Sequence, residues 1–343
     1  MTSESREQVE VTPVEHELVR PSSVRWSFAI ALGIAFLLGC RTAARLASGR
    51  PEWRVLEGTP EDYGLAADFV RVRSADDLRV AGWWLAGDAS GTPTRGTVIL
   101  AHGIGGNRGS MLPIAAFLVA AGYDVLVIDL RAHGDSEGTY PSPGYLEVAE
   151  ITAAIEYARR RGSVPVILLG HSYGGVAVLH TLGRGVDVTA AIADSAFVSF
   201  FDMMEGVRAG QSSRWTRLGL RLVASRRLAG VTSLLTRIGG GPRIDARHGD
   251  LMPVLPRIRC PVLFITGDRD SLALTATARS MAAAVAVPGT RVAELQAGHE
   301  TYADAPSDYE SAVLGFLDEV VGTPPTGSRS RSAFTPPRLP GFS

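Results

Sequence analysis

The stretch VPVILLGHSYGG, Val164 through Gly175, decides the fold. The run 164–169 is apolar and β-rich, and it ends at Gly170-His171-Ser172-Tyr173-Gly174. The chain then passes directly into Val176-Ala177-Val178-Leu179-His180, whose apolar spacing suits a buried helix. The reading is strand, tight turn, helix. The turn matches G-x-S-x-G, a pattern that places its serine on a strained corner with the hydroxyl projecting from the top of a sheet. With Ser172 in an unfavourable backbone conformation, a Cβ at Gly170 or Gly174 would meet the neighbouring strand or helix, so both positions call for glycine.

Working outward, the same alternation repeats on both sides. Residues 69–73 and 78–85 alternate apolar and polar around the turn 74–77, which predicts an antiparallel hairpin. A buried strand at 97–101 (TVILA) runs into His102-Gly103-Ile104-Gly105-Gly106-Asn107 and a helix over 111–121. A second unit follows, with a strand at 124–129, a loop at 130–138 and a helix at 145–161. Beyond the corner come strands at 188–194, 261–266 and 290–295 and helices at 273–285 and 308–321. Repeated strand and helix with apolar strands means a mostly parallel sheet covered on both faces, the α/β class. The interruption between Asp194 and Pro261 is too long for an ordinary connection, so an Arg-rich helical stretch, about 199–257, is expected to cap the carboxyl edge of the sheet. The domain spans 68–321, preceded by a linker at 41–67 and followed by a Pro/Ser/Arg-rich tail at 322–343.

Composition removes whole classes of chemistry. The formal net charge of −1 argues against a nucleic-acid partner, which would normally call for a strongly basic face. The sequence contains no lysine, which excludes a P-loop, a pyridoxal Schiff base and the S-x-x-K penicillin-binding arrangement. Two cysteines, Cys40 and Cys260, build neither a disulfide framework nor a cysteine zinc site, and the seven histidines show no H-E-x-x-H spacing. No metal or cofactor is expected. Gly103 and Gly105 superficially suggest a dinucleotide loop, but Arg108 stands where its third glycine belongs.

Residues 1–25 are polar and Glu-rich without periodicity, the pattern of a disordered leader. The run 26–40, WSFAIALGIAFLLGC, carries no charge and is bracketed by Arg25 and Arg41. Three readings fit it. The first is an N-terminal membrane anchor, short against the roughly 20 residues of a full span but helped by snorkelling arginines. The second is a secretion signal whose Leu37-Leu38-Gly39-Cys40 resembles a lipobox, with Cys40 acylated. The third is a helix buried against the domain. Arginines on both sides leave the orientation open.

A serine hydroxyl is a poor nucleophile unless a base lies within hydrogen-bond reach and a third group fixes that base. In a sheet of this kind the chain order is Ser, then Asp or Glu, then His. Here Gly267-Asp268-Arg269-Asp270 follows the strand at 261–266, and Gln296-Ala297-Gly298-His299-Glu300 follows the strand at 290–295. Both lie at carboxyl ends of strands, the edge where open α/β sheets bind ligands. The HGIGGN, DLRAHGDSEG, GHSYGG, PVLFITGDRD and AGHE pieces together resemble the α/β-hydrolase superfamily, within its serine aminopeptidase-like and Bem46-like groups, over about residues 68–321. The resemblance implies Ser172 as nucleophile, Asp270 as acid and His299 as base, with an oxyanion hole from the backbone N–H groups of Ile104 and Tyr173.

Asp268 and Asp194 are the other candidates for the acid. His102 and His133 read as structural histidines that bond loop backbone, and Asp129 with Arg131 as a charge-assisted pair that holds the second loop. The cap arginines, Arg214, Arg217, Arg221, Arg226 and Arg227, read as a solvated face, with anionic lipid head groups as the other reading. The expected activity is hydrolysis of a small-molecule or lipid ester through an acyl-enzyme. Peptide or amide cleavage by the same triad is the first alternative, and an idle binding module the second.

Overall fold

The computed structural model describes residues 34, 37–38, 41, 51–87, 94–162, 165–209, 212–214, 217, 229–239 and 246–322. Strand β1 (Asp68–Arg73) and strand β2 (Arg79–Leu85) pair antiparallel, as their alternation predicts. Their turn places Asp77 at φ 69° and is closed by the Ser74 hydroxyl, which bonds the N–H of Leu78 at 3.1 Å. Then come β3 (Thr97–Ala101), helix α1 (Leu112–Ala120), β4 (Asp124–Ile128), helix α2 (Val148–Arg160), β5 (Val166–His171), helix α3 (Tyr173–Gly183) and β6 (Ala190–Asp194). Helices α4 (Phe200–Ala209) and α5 (Ala229–Ile238) occupy the long insertion, and β7 (Val262–Gly267), α6 (Thr275–Val285), β8 (Arg291–Leu295) and α7 (Pro306–Val321) complete the domain.

The eight strands form one sheet in the order β1-β2-β4-β3-β5-β6-β7-β8, antiparallel at β1, β2 and β4 and parallel from β4 to β8. This is the α/β-hydrolase fold expected from the sequence. Strand side chains alternate between two cores. Leu168, Ala191, Ala193 and Phe264 face one layer with Ile151, Ile155, Val176 and Met281, which α2, α3 and α6 supply. Ile167, Leu169, Ile192 and Leu263 face the other with Leu112, Phe117, Val313 and Phe316 from α1 and α7. Burial on both faces is why the strands read as unbroken apolar runs.

Two element boundaries move. Helix α2 starts at Val148, three residues later than its spacing suggests, and the Glu147 carboxylate just before it ties down the preceding loop by accepting from the N–H and hydroxyl of Ser142. Helix α7 starts earlier, at Pro306, whose fixed φ suits a first helical turn. In the insertion, Gly206 of α4 lies so close to the carbonyl of Ser271 that a Cβ would overlap it, which seats α4 against the loop that follows β7. Arg214 and Arg217 are exposed, while Arg221, Arg226 and Arg227 lie outside the described residues.

The second loop is held differently from the expected Asp129–Arg131 pair. Asp129 is buried and binds Arg108 instead, through that residue's guanidinium and through its N–H at 2.7 Å. Arg131 turns the other way, where its guanidinium meets both oxygens of Glu150 on α2, at 2.7 and 3.0 Å, and Asp76 at 2.7 Å. Asp129 and Arg131 both lie past the end of β4 at Ile128, in a loop where Ala132 takes φ 64°, so strand alternation does not set which way their side chains turn. Gly134 lies in the left-handed region at φ 48°, and a Cβ there would overlap the Asp129 carboxylate. Arg108 is capped by the Trp83 ring, 4.4 Å from its centroid, and also holds Asp135 at 2.5 Å. It thus fills the place a dinucleotide loop would give to glycine.

The expected linker is also more than a linker. Residues Pro51–Arg54 and Pro60–Tyr63 form short 3₁₀ turns against the domain, while 42–50 lie outside the described residues. The leader 1–25, most of the run 26–40 (Cys40 included) and the residues after 322 also lie outside them. No helix among the described residues is long and apolar enough to cross a membrane.

Removing one member of a buried ion pair leaves an uncompensated charge, a loss of about 3–5 kcal/mol. Arg108→Met leaves the Asp129 carboxylate in that state, so urea unfolding at neutral pH is expected to show a loss of that size; a change under about 1 kcal/mol would contradict the pairing.

Candidate active site

Ser172 sits between β5 and α3 at φ 51° and ψ −114°, a strained conformation for a residue with a side chain. Its N–H bonds the carbonyl of Asp194 at 2.7 Å, which ties the corner to the end of β6. A Cβ at Gly170 would overlap the carbonyl of Gly174 on α3, and a Cβ at Gly174 would overlap the carbonyl of Ala101 on β3. The helix therefore starts in contact with two strands, as the sequence requires.

The three residues separated by 98 and 29 positions meet at this corner. His299 follows β8 and Asp270 follows β7, so both arrive at the same carboxyl edge of the sheet at which β5 ends. His299 Nε2 lies 2.9 Å from Ser172 Oγ and His299 Nδ1 lies 2.8 Å from Asp270 Oδ2. With Asp270 accepting, Nδ1 carries the proton and Nε2 is free to accept from the serine hydroxyl. The other oxygen of Asp270 accepts from the N–H groups of Leu272 at 2.7 Å and Ala273 at 3.0 Å. Burial pushes the Asp270 carboxyl up, but the His299 hydrogen bond and charge and these two N–H groups outweigh it, so the carboxyl titrates below its ordinary value.

The two other candidate acids are engaged elsewhere. Asp268 accepts from the N–H of Ala297 at 3.0 Å and positions the strand end. Asp194 is buried and bonds His171 Nδ1 at 2.9 Å through one oxygen and the Thr301 hydroxyl at 2.6 Å through the other. The Ser195 hydroxyl donates to the His299 carbonyl at 3.1 Å. Asp194 and Ser195 thus clamp the segment that carries the histidine, a role that nothing in their spacing signals.

The remaining histidines are set to different charge states by their surroundings. His102 Nδ1 donates to the carbonyl of Gly103 at 2.7 Å and its Nε2 accepts from Leu130 at 3.0 Å. His133 donates to the carbonyl of Arg131 at 2.7 Å and accepts from the N–H of Gly105 at 3.1 Å. Both bond loop backbone, as expected, and burial holds their pKa values down, to about 4 and about 3. His171, next to Ser172, goes the opposite way: burial opposes its charge, but Asp194 and then Glu300 outweigh it and push it up to about 10. Its two carboxylate neighbours thus favour the protonated ring, an arrangement the sequence did not announce.

Of the expected oxyanion donors, Tyr173 follows the serine directly and Ile104 lies on the turn after β3. Among the described residues, neither the Ile104 N–H nor the Tyr173 N–H has a hydrogen-bond acceptor in the protein. A Cβ added at Gly103 would lie 3.6 Å from Ser172 Cβ, so the turn bearing Ile104 borders the nucleophile. The Tyr173 side chain is buried among Val176, Ala177 and their neighbours and packs in the core. No group of His, Cys, Asp and Glu among the described residues is arranged to hold a metal ion.

The family model for the alpha/beta hydrolase family matches residues 98–312. The chain belongs to the alpha/beta hydrolase family. The protein named YfhR of Escherichia coli K12 is 31% identical over 141 residues, which cover 39% of this chain and 49% of that protein. Protein bem46 of Schizosaccharomyces pombe is 27% identical over 154 residues, 43% of this chain and 50% of that one, so the chain spans about half the length of these relatives. A longer match, 26% identical over 310 residues, covers 77% of this chain and 97% of the mouse protein named sn-1-specific diacylglycerol lipase ABHD11. The solved structure of the Pyrococcus furiosus esterase Pf2001 superposes with a TM-score of 0.62 at 22% identity, over 78% of this chain and 98% of that one. At that identity the likeness establishes the hydrolase fold.

A carboxyl whose pKa is depressed on folding contributes stability that is present above its unfolded value and is lost as pH falls through the folded one. For this hydrolase, urea unfolding between about pH 6 and about pH 3 is expected to show the wild type losing more stability than Asp270→Asn. Equal acid sensitivity of the two proteins would show that Asp270 is not held as an ionised partner of His299.

Proposed function

We propose that the protein is a serine hydrolase that cleaves carboxylic esters through an acyl-enzyme intermediate. The observation that carries this reading is the unbroken hydrogen-bonded line from Ser172 Oγ through His299 to Asp270, at 2.9 and 2.8 Å. His299 Nε2 takes the proton of the serine hydroxyl as Oγ attacks the ester carbonyl carbon. The carbonyl π bond opens to an oxyanion, which the N–H groups of Ile104 and Tyr173 receive; such donors are worth roughly 3 kcal/mol each in the transition state. The imidazolium then returns its proton to the departing alkoxide, and the alcohol leaves with the acyl group bound to Ser172. Water, deprotonated in turn by His299, attacks that acyl carbon, and the serine is regenerated as the carboxylic acid departs. Asp270 keeps the Nδ1 proton in place and stabilises the imidazolium at each stage.

The chemistry asks for no cofactor, since the three side chains and two backbone donors supply every proton and charge it needs. Ester rather than amide bonds are supported by the company the fold keeps. The named relatives include a diacylglycerol lipase, and the structural neighbours include esterases. The reading extends to an enzyme held at a membrane by the uncharged run 26–40 with its flanking Arg25 and Arg41, which suits an ester of lipid origin.

Turnover of a panel of acyl esters and aminoacyl amides tests the proposal. Ser172→Ala is expected to lower kcat/KM for esters roughly 10⁴-fold or more, and Asp270→Asn about 10³–10⁴-fold, with both proteins folded by circular dichroism. Undiminished turnover in Ser172→Ala overturns the mechanism, and hydrolysis of amides alone overturns the substrate class. Membrane attachment is read separately: the full chain is expected to float with lipid vesicles and a chain starting at residue 42 to remain in solution, and flotation of both would take the attachment away from 26–40.

A further inference from the structure

The turn bearing Ile104 is built of soft material. Gly103, Gly105 and Gly106 surround it, Gly105 sits at φ 83°, and the Ile104 side chain is 46% exposed, so the turn has no apolar anchor of its own. An oxyanion donor displaced by a fraction of an ångström loses much of its effect. Something outside the turn has to fix it.

Residues 51–57 are the element that does so. The Trp53 indole lies flat on the His133 imidazole, with centroids 4.7 Å apart and planes 4° from parallel. His133 is the group whose Nε2 accepts from the Gly105 N–H, one residue from Ile104. A Cβ on Gly105 would come within 3.3 Å of the Trp53 ring nitrogen, so indole and turn are in close contact as well. The Trp53 carbonyl accepts from the Gly134 N–H at 3.0 Å. Arg54 spans the carbonyls of Gly134, Ser136 and Gly138 at 3.2, 2.9 and 2.9 Å. Asn107, at the far end of the same loop, donates to the Val55 carbonyl at 2.7 Å. The segment before the domain therefore straps together two loops, the one that borders the serine and the one that carries His133.

We propose that Trp53 is a positioning residue for catalysis. By covering His133 it holds that imidazole neutral and oriented with Nε2 toward Gly105, and so fixes the Ile104 N–H where the oxyanion forms. The inference rests on the ester-hydrolase reading above. It assigns the residues between the N-terminal apolar run and the sheet a part in the reaction, so that whatever moves this segment moves the oxyanion donor.

The test uses the full chain with Trp53→Ala, Trp53→Phe, His133→Ala and the Trp53→Ala, His133→Ala double variant. Trp53→Leu keeps an apolar cover without a ring face and replaces Trp53→Ala if that protein does not fold. Active-site titration counts the competent fraction, so partial unfolding does not pass for a slower enzyme. Trp53→Ala is expected to lower kcat roughly 10-fold or more, to change KM less than about 2-fold, and to weaken a phenylboronic acid, which mimics the tetrahedral state, by a factor like that in kcat. Trp53→Phe is expected to recover most of both losses, and the double variant to be no slower than the slower single one, because both act through the same N–H. Wild-type kcat in Trp53→Ala, a kcat loss with unchanged boronic acid affinity, or losses that multiply in the double variant each overturn the strap while leaving the triad intact. A wild type that neither hydrolyses esters nor binds the boronic acid overturns the ester-hydrolase reading and this inference with it.

Discussion

The structure depends on one close approach. Helix α3 begins so near to β3 and β5 that no Cβ fits at Gly170 or Gly174, and this crowding forces Ser172 to the strained φ of 51° that lifts its hydroxyl above the sheet. Strain of this kind costs roughly 1–3 kcal/mol and persists only when the surroundings over-determine it. Here they do. The Ser172 N–H is tied to the carbonyl of Asp194, and the faces of the sheet on either side are filled by two apolar cores that leave α3 no room to retreat.

Everything polar at the rim is arranged around that corner, and the environment of each group sets its task. Three aspartates end or follow adjacent strands, yet they do different things. Asp270 faces His299, Asp268 braces the backbone at Ala297, and Asp194 joins His171 to Thr301. Four histidines diverge in the same way. His102 and His133 are buried against backbone groups that need one donor and one acceptor, which favours the neutral ring, whereas His171 lies between two carboxylates, which favour the protonated one. His299 alone has a carboxylate on one nitrogen and a serine hydroxyl on the other. That asymmetry is what a general base requires.

How much of this is legible in the sequence follows from how far each interaction reaches. The corner at Ser172 is a local matter of glycines and β-rich residues, and the order of Ser172, Asp270 and His299 at strand ends follows from the βα repeat. The Arg108–Asp129 pair is not local. Twenty-one positions separate the partners, and the nearer arginine, Arg131, reaches instead to Glu150 on α2. The same holds for His171 with Asp194 and for Trp53 with His133, which meet only because β6 lies beside β5 and residues 51–57 fold back across the rim. Composition alone gave the segment 41–67 the look of a linker, because a few aromatic and polar residues with no periodicity carry no sign of the backbone groups they bind. The apolar run 26–40 lies mostly outside the described residues, so its reading rests on its lack of charge and its flanking arginines.

The central claim is that His299 makes the Ser172 oxygen more reactive than any other hydroxyl in the chain. Brief labelling of the folded protein with a fluorophosphonate, followed by peptide mapping by mass spectrometry, measures this directly. The account predicts a single adduct on Ser172 that is absent when the protein is unfolded first and is formed far more slowly in His299→Ala. A folded protein that leaves Ser172 unlabelled, or labels it as fast without His299 as with it, would contradict it.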